Sequence, residues 1–202
     1  MYREERLLHQ RNYKLIAGVD EAGRGPLAGP VVAAAVILPP DYRNRGIRDS
    51  KQLTALQRES LFIDIKNSAL SYAVGVVSPK EIDKIGILNS TKLAMRQAIQ
   101  KLDPRPDFIL VDAVAINIDG IPQMAIIHGD AKVFSIAAAS IIAKVSRDRL
   151  MIKYHREYPQ YGFDQHMGYG TEIHLQAIRK HGPSPIHRMT FEPLKTNRGP
   201  YG

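Results

Sequence analysis

The stretch that most constrains the fold is SIAAASIIAKVSRDRLMIKYHREY, residues 135–158. Its first half is apolar around most of a helical circumference, which predicts a central helix that is buried on several sides. Pro159 ends the pattern, because proline cannot continue a helix. A helix of this kind requires other elements to cover it, and the rest of the chain carries their patterns.

Five short apolar runs, several of them rich in β-branched residues, predict the strands of a sheet. They are residues 15–19, 31–38, 71–77, 108–111 and 124–127. A stretch rich in glycine and proline joins the first two, which indicates a structured loop between them.

Helical patterns lie among these strands. Thr54 and Ser78 each stand three residues before Gln or Glu, which is the spacing of a capping box. Apolar residues three and four apart predict a further helix over residues 89–102, and a last helix over 171–181 ends at a glycine. Strands mixed with helices long enough to cover both faces predict an α/β domain around a mixed central sheet.

The composition limits the chemistry and the location of the protein. At 202 residues we expect one domain, residues 1–202. Lys and Arg outnumber Asp and Glu by 28 to 20, and a net charge of +8 favours a polyanionic partner. The absence of cysteine excludes disulfides, thiolate nucleophiles and cysteine zinc sites. The charged N-terminus lacks a signal-peptide core and no long apolar run occurs, so we expect a cytoplasmic protein.

Four carboxylates stand at informative positions. Asp20 closes the first predicted strand, Asp112 closes another, and Asp130 stands just ahead of the buried helix. Each alone is more often a turn former or a helix cap. Together with Glu21 they can converge at strand ends, where their repulsion favours one or two divalent cations, Mg²⁺ or Mn²⁺. Because neighbouring strand residues face opposite sides, Asp20 and Glu21 share such a site only if the strand ends or bends there.

Six blocks of the sequence point to one family. The first is DEAGRGPLAGPVVAAAV, which starts at residue 20. The others are RDSKQLT at 48–54, LVDA at 110–113, GDAKVFSIAAASIIAKVSRDR at 129–149, YPQYGFDQHMGYGT at 158–171 and GPSPIHRMTF at 182–191. In this order they resemble the blocks of prokaryotic type 2 ribonuclease H, ribonuclease HII, over residues from about 15 to 191.

The resemblance implies a fold and an activity. The fold is the ribonuclease H-like fold with a C-terminal helical segment, here from about 155 to 202. The activity is metal-dependent endonucleolytic cleavage of RNA in RNA/DNA hybrids, and cleavage on the 5′ side of single ribonucleotides embedded in duplex DNA. The ends are a 3′-hydroxyl and a 5′-phosphate, which implies roles in removing misincorporated ribonucleotides and RNA primers.

The resemblance also implies roles for individual residues. The family's catalytic and metal-binding acids fall on Asp20, Glu21, Asp112 and Asp130. Its glycine-arginine-glycine element, whose backbone is expected to contact the 2′-hydroxyl, falls on Gly23, Arg24 and Gly25. Tyr169 matches a tyrosine that packs on the sugar at the junction.

Basic residues near these blocks are candidates for contacts with the phosphodiester backbone. They are Lys51, Lys132, Lys144, Arg147 and Arg188, with His187 as a further residue for which a structural role competes with proton transfer. Three positions depart from the family pattern. Ala113, Val133 and Met167 stand where glycine, serine and lysine are frequent, and the last two put possible phosphate contacts in question.

Three alternatives stay open. Ribonuclease HIII shares the fold and chemistry but carries an additional N-terminal domain, and about 15 residues precede the first strand here. A catalytically silent nucleic-acid-binding module would keep the basic charge, although four acids near a phosphate path weaken binding unless a metal neutralises them. A phosphohydrolase of small molecules would need no excess of positive charge. We expect a monomer, and a loosely held tail from about Leu194.

Overall fold

The computed structural model describes residues 1–48, 50–116 and 118–195. Its sheet has five strands: β1 Ile16–Ala22, β2 Val31–Ile37, β3 Ser71–Val77, β4 Phe108–Asp112 and β5 Gln123–Ile126. The strand order is β3-β2-β1-β4-β5. β2 pairs antiparallel with both β1 and β3, whereas β4 pairs parallel with both β1 and β5. The predicted mixed sheet is therefore confirmed, and each strand lies within a few residues of its predicted position.

Eight helices accompany the sheet in the described part of the chain. They are α1 Arg3–Gln10, α2 Ala55–Ser68, α3 Pro79–Ile85, α4 Ile87–Gln100, α5 Gly129–Lys132, α6 Phe134–Glu157, α7 Phe163–His166 and α8 Glu172–His181. The long central helix predicted over 135–158 is α6. The sequence patterns did not predict α1, because this segment is charged throughout and buries Leu8 alone.

The helix starts follow their capping signals. Thr54 and Gln57 form the complete reciprocal box at the start of α2, and the Ser78 hydroxyl accepts the Glu81 N–H at the start of α3. The start of α6 is different, because Val133 makes no side-chain cap there. The Glu5 carboxylate of α1 instead accepts the N–H and the hydroxyl of Ser135, at 2.9 and 3.0 Å. The N-terminal helix thus satisfies a donor at the start of the central helix.

The sheet is covered on both faces. α4 lies on one face, against β1, β2 and β3, in a core that contains Ala17, Val19, Met95 and Ala98. α6 lies on the other face, against β1 and β2, and α2 packs on α6. Small side chains in the central strands let both helices approach closely, so the sheet is buried where it carries the acids.

Gly18 marks the closest approach of α6 to β1. A Cβ at this position would lie 2.1 Å from the carbonyl carbon of Ser135. We therefore expect Gly18→Ala to lower the free energy of unfolding by about 2 kcal/mol, because the helix backbone must move to admit the methyl group. At Gly25 the nearest atom to an added Cβ is a Tyr169 ring carbon at 3.7 Å, so Gly25→Ala is the matched control. Equal denaturant midpoints for the two variants would contradict this account.

The C-terminal helical segment packs beside the loop between β1 and β2. Tyr161, Phe163 and Ile178 share a buried apolar cluster with Leu27 and Met151, and Ala28 bridges to His187. The expected C-terminal helices are thus present. Leu194 is 2% exposed within this cluster, so the expectation of a loose tail from about Leu194 is wrong at its first residue, and residues 196–202 lie outside the described residues.

No helix in the described ranges combines the length and the apolar character that crossing a membrane requires.

Candidate active site

Three acids converge where two central strands separate. The parallel ladder between β1 and β4 ends at the pair Val19 and Val111. Asp20 and Asp112 are the next residues on these strands, and α5 brings Asp130 beside them. One carboxylate oxygen from each of the three lies within 4.8 Å of the others. The predicted convergence of Asp20, Asp112 and Asp130 is therefore present in the structure.

The setting of Asp20 differs from the prediction in one respect. Asp20 does not close β1, because the strand continues to Ala22 and stays paired with β2 as far as Val32. Only the β4 side of β1 is open there. Asp20 and Glu21 alternate along a continuing strand, yet both line one cavity of about 210 Å³ because β4 no longer covers this side. Both side chains thus reach the cavity because β4, the neighbouring strand, ends there, and not because β1 itself ends between them.

Short hydrogen bonds hold the clustered acids. The Glu21 N–H donates to Asp20 Oδ1 at 2.7 Å, and the Gly129 N–H donates to Asp112 Oδ1 at 2.7 Å. Lys51 Nζ lies 3.2 Å from Asp130 Oδ2 and pairs with it. Backbone donors therefore orient two of the carboxylates, and one lysine approaches the third.

The electrostatics of the cluster oppose ionisation. Burial, followed by the charges of Glu21 and Asp112, raises the pKa of Asp20 well above its usual value. Burial also raises the pKa of Asp112, and the charge of Asp130 adds to this effect. The pKa of Glu21 is raised by burial and by Asp112, although Arg24 opposes both. A cation among these carboxylates would relieve the repulsion.

Two serines that the sequence analysis missed complete the floor of this cavity. Ser140 of α6 and Ser50 line it, and their hydroxyl oxygens lie 2.7 Å apart. Ser140 also hydrogen-bonds to Asp20 and works against the rise of its pKa. A signal was present, because Ser140 is a polar residue within the most apolar part of the central helix. Only the fold shows that this face of the helix meets Asp20.

The glycine-arginine-glycine loop forms one wall of the cavity. Gly23 has a φ of +95°, and an added Cβ would lie 2.1 Å from Arg147 Nε, so this position requires glycine. Arg24 pairs with Glu21 at 3.4 Å. Gly25 faces the ring of Tyr169, and Tyr169 is 47% exposed. Gly25 and Tyr169 thus stand opposite each other beside the clustered acids.

Arg147 borders the cavity, and a phosphate contact by it stays a prediction, whereas Arg188 does not line the cavity, which corrects the prediction for Arg188. The two arginines are 1% and 0% exposed. Arg147 donates to the carbonyls of Ala28, Pro30 and Met167, at 3.0 to 3.1 Å. Burial lowers its pKa to about 10. Its guanidinium therefore joins the β1–β2 loop to the segment that precedes Tyr169.

Arg188 plays the same structural part from the other side. Its guanidinium donates to the carbonyls of Gly23, Arg24 and Gly29, at 2.6, 3.0 and 2.9 Å. Burial, followed by the charge of Arg147, lowers its pKa to about 9. Planar guanidinium groups with several donors suit this task better than lysine would, because one group can satisfy three carbonyls.

The three candidate lysines lie at different distances from the acids. Lys51 and Lys144 line the cavity itself. Lys144 is partly buried and pairs with Asp148 at 2.7 Å. Lys132 is exposed on α5, and its Nζ donates to the Ile127 carbonyl at 2.8 Å. A phosphate contact by these three lysines stays a prediction.

His187 belongs to a buried histidine cluster rather than to the cavity. It is 3% exposed, and its Nε2 lies 3.0 Å from His174 Nε2. The His174 ring stacks on His166, with ring centroids 4.4 Å apart. Burial lowers the pKa of both His174 and His187 to about 4. The structural alternative weighed for His187 thus agrees with its position.

These lowered pKa values predict acid sensitivity. The pKa of such a histidine is about 4 in the folded protein, against an ordinary value of 6.5. As the pH falls, the unfolded chain therefore binds the proton at a higher pH than the folded protein does. The free energy of unfolding should therefore fall as the pH drops from 6.5 towards 4, by roughly 3 kcal/mol for one such histidine. The raised carboxylate pKa values act in the opposite direction, so the contribution must be isolated by substitution.

Denaturant unfolding between pH 7.5 and 4.5 measures the effect. His187→Leu should be less sensitive to acid than the wild type, because it has lost one group that titrates differently in the two states. His181→Leu is the control, since His181 is exposed at the end of α8. If both variants keep the wild-type slope, the depressed pKa of His187 is refuted.

Two of the positions that depart from the family pattern have a backbone φ angle in the left-handed region. Ala113 follows Asp112 with a φ of 54°, and Met167 has a φ of 51°. Both occupy the left-handed region that favours glycine, which accounts for the frequent glycine at the first position. Val133 is fully buried at the junction of α5 and α6.

A second, larger cleft lies elsewhere on the protein. It measures about 600 Å³ and is lined by Arg96, Arg105 and Asp119, among others. It lies between α4 and the loop that precedes β5, and it contains none of the clustered acids. Size therefore does not select the site here, whereas the density of carboxylates with raised pKa values does.

Solved structures define the class of this protein. The crystal structure of ribonuclease H2 from Pyrococcus horikoshii OT3 matches with a TM-score of 0.75 and 32% identity, over 90% of this chain and 95% of that chain. The ribonuclease HII in the PCNA complex from Archaeoglobus fulgidus matches with a TM-score of 0.74 and 27% identity, over 88% of this chain and 95% of that chain. This shared fold, together with the acids at the central strands of this chain, defines a ribonuclease H.

The sequence comparisons identify the family within this class. The family model for ribonuclease HII matches residues 17–194. The ribonuclease HII of Acetivibrio thermocellus is 55% identical over 187 residues, which cover 93% of this chain and 73% of that protein. The chain belongs to the ribonuclease HII family, and it is a phosphodiester endonuclease of the ribonuclease H type. The resemblance found in the sequence is confirmed, and the silent binding module and the small-molecule phosphohydrolase lose their support.

Proposed function

We propose that this protein hydrolyses the phosphodiester on the 5′ side of a ribonucleotide, both in RNA/DNA hybrids and at single ribonucleotides embedded in duplex DNA. The products would carry a 3′-hydroxyl and a 5′-phosphate. One observation carries the proposal: Asp20, Glu21 and Asp112 line a single cavity with the Gly23–Gly25 loop and Tyr169, and Asp130 lies beside two of these acids. The biological role would be the removal of misincorporated ribonucleotides and of RNA primers.

The acids fit a divalent cation. Three carboxylate oxygens lie within 4.8 Å of one another, and two of the three aspartates are at most 5% exposed. An all-oxygen donor set suits a hard ion, and Mg²⁺ and Mn²⁺ are the candidates. When bound, one or two such ions would supply positive charge to the scissile phosphate and make an attacking water more acidic.

The side chains around the cluster divide the remaining work. Asp20, Asp112 and Asp130 would hold the ion, and Glu21 would contact it or an attacking water from the rim of the cavity. Lys51 and Lys144 line the same cavity, where their charges would attract the phosphodiester backbone. The net charge of +8 favours a polyanionic duplex over a small phosphate ester.

The opposite wall of the cavity would select the sugar. Gly23 and Gly25 both line the cavity, and Gly25 is exposed, so a backbone donor or acceptor of this loop can recognise a 2′-hydroxyl that DNA lacks. The Tyr169 ring lies 3.7 Å from the position of a Cβ on Gly25, so a sugar that enters this wall would meet both. The two buried arginines would act indirectly by holding the loop in place.

Cleavage of three labelled duplexes tests the proposal: all-DNA, DNA with one embedded ribonucleotide, and an RNA/DNA hybrid. Each would be incubated with Mg²⁺, with Mn²⁺ and with chelator. We expect metal-dependent cutting of the two ribonucleotide-containing duplexes, on the 5′ side of the single ribonucleotide, and no cutting of all-DNA. Cutting of all-DNA at the same rate would refute the sugar selection.

Gly25→Ala sharpens this test. Its added methyl group would have the Tyr169 ring as its nearest neighbour, at 3.7 Å, so it should leave the fold intact and occupy the space that faces Tyr169. We expect the variant to keep wild-type stability and to lose cleavage at the single ribonucleotide. The salt dependence of duplex affinity tests the polyanionic substrate separately. We expect the affinity to fall steeply with salt, because binding through phosphates releases counterions.

A further inference from the structure

Tyr169 is poorly anchored by its own side chain. The residue is 47% exposed, and glycines stand on both sides of it, the first with a φ of +83°. Flanking glycines allow many backbone conformations, so the direction of the ring depends on hydrogen bonds to the backbone. The Tyr169 N–H donates to the His166 carbonyl at 2.9 Å. The Tyr169 carbonyl accepts from the Thr171 N–H at 2.8 Å and from His174 Nδ1 at 2.9 Å.

The hydrogen bond from His174 is the end of a longer chain. His187 Nδ1 lies 2.8 Å from the Ser184 backbone nitrogen, and His187 Nε2 lies 3.0 Å from His174 Nε2. The Ser184 hydroxyl also lies 2.8 Å from His187 Nδ1. We call the sequence of contacts from Ser184 through His187 and His174 to the Tyr169 carbonyl the histidine relay. Its residues from Ser184 to His174 are at most 7% exposed.

The two ends of the histidine relay determine its protonation. A backbone N–H only donates, so His187 Nδ1 must be without a proton, and the neutral ring carries its proton on Nε2. His174 Nε2 must then accept, which places the proton of His174 on Nδ1. This proton points to a carbonyl, which only accepts. One pair of tautomers therefore satisfies every contact.

An added proton on either ring would break the histidine relay. On His187 it would face the Ser184 N–H, and on His174 it would face the proton of His187. The low pKa values of both rings, about 4, agree with a relay of neutral imidazoles. The third ring, His166, is oriented separately, since its Nε2 lies 2.8 Å from the Tyr161 carbonyl and its Nδ1 accepts the Gly168 N–H at 3.2 Å.

We propose that the histidine relay is a positioning device, in which His174 and His187 hold the Tyr169 backbone so that its ring faces Gly25. This inference rests on the proposed selection of the sugar by Tyr169. His174 and His187 are positioning residues, since they line the cluster beneath the loop and not the cavity with the acids. A purely apolar filling of the same space would pack as well, but it would leave the Tyr169 carbonyl without one of its two donors.

A pair of variants with similar shapes tests the proposal. His174→Asn keeps an amide donor at the position of Nδ1, whereas His174→Leu has the same branching and no donor. Both lose the contact with His187, so both should be destabilised to a similar degree. We expect His174→Leu to lose about tenfold to a hundredfold in kcat/KM on the single-ribonucleotide duplex, as when an orienting group is misplaced by about 1 Å. His174→Asn should retain most of the wild-type kcat/KM.

Nuclear magnetic resonance of the wild-type protein tests the geometry directly. The imidazole nitrogen shifts should show the Nδ1–H tautomer for His174 and the Nε2–H tautomer for His187 at neutral pH. A coupling across the bond between the two Nε2 atoms should be detectable. The opposite tautomer at either ring would overturn the histidine relay.

The outcomes separate this inference from the proposed function. If the wild type cleaves the single-ribonucleotide duplex, and His174→Leu cleaves it as well as His174→Asn does, the positioning role is wrong and the proposed function stands. If the wild type does not discriminate a ribonucleotide from DNA, the proposed function fails. In that case the tautomers, and the coupling from His174 Nδ1 to the Tyr169 carbonyl, still decide whether the relay holds the Tyr169 backbone.

Discussion

Asp112→Asn is expected to abolish cleavage while leaving the fold intact. The amide keeps an oxygen that can accept the Gly129 N–H, now at 2.7 Å from Asp112 Oδ1, but it removes one of the three carboxylates that would hold a divalent ion. A loss of several kcal/mol in transition-state stabilisation corresponds to a rate reduction of about 10³-fold or more. Cleavage of the single-ribonucleotide duplex at saturating Mg²⁺ and Mn²⁺ measures it.

The stability of the same variant gives the second half of this prediction. Asp112 contributes to the raised pKa of Asp20. A carboxyl whose pKa is higher in the folded than in the unfolded protein destabilises the fold as the pH rises through that folded pKa. Without metal at neutral pH, Asp112→Asn should therefore be as stable as the wild type or more so. Added Mn²⁺ should raise the melting temperature of the wild type more than that of the variant.

Asp119→Asn is the matched control for this experiment. Asp119 is exposed and lines the larger cleft rather than the acid cluster. We expect wild-type cleavage and an unchanged response to Mn²⁺. Near wild-type cleavage by Asp112→Asn at saturating metal would show that this acid has no part in the chemistry.

Arg188→Met is expected to have the largest effect on stability. The substitution preserves much of the volume but removes three bonds, to the carbonyls of Gly23, Arg24 and Gly29. A buried polar group without a partner costs about 1–3 kcal/mol. Removing the buried charge returns part of this cost, since burial lowers the pKa of Arg188 to about 9. We expect a net loss of about 3 kcal/mol in the free energy of unfolding.

The same change should impair cleavage under conditions in which the variant is folded. The Gly23–Gly25 loop would lose a fixed position relative to the acids, so kcat should fall more than duplex affinity. Arg179→Met serves as control, because Arg179 is exposed and pairs with Glu172 on the surface. If Arg188→Met were as stable and active as Arg179→Met, the structural role of the buried guanidinium would be refuted.

Local patterns predicted most of the elements. The strands and the long central helix appear close to their predicted bounds, because apolar periodicity reports which faces of a segment are buried. The cap at Thr54 was equally readable, since the bonds that form it lie within four residues. The helix at residues 3–10 escaped prediction because it is short and mostly charged and only Leu8 is buried in it, although its apolar and charged residues do lie on opposite faces.

The candidate site was predicted in part. Asp20, Asp112 and Asp130 were expected to converge, and the structure brings their oxygens together. Their catalytic role, and that of Glu21, stays a prediction until the variants are measured. Arg147 and Arg188 were assigned to phosphate because a basic residue beside a family block looks the same in sequence whether its head group is exposed or buried.

The sequence by itself determined which functional groups are available in this protein. It specified carboxylates and no thiolates, glycines where the backbone needs them, and a family pattern spread over most of the chain. The tertiary structure alone decided which polar groups face the cavity and which are buried and hydrogen-bonded to the backbone. Strand register placed Asp20 beside Asp112, and long-range packing enclosed Arg147, Arg188 and His187. The physical reason is that burial and pKa depend on neighbours far away in the sequence, which no local pattern records.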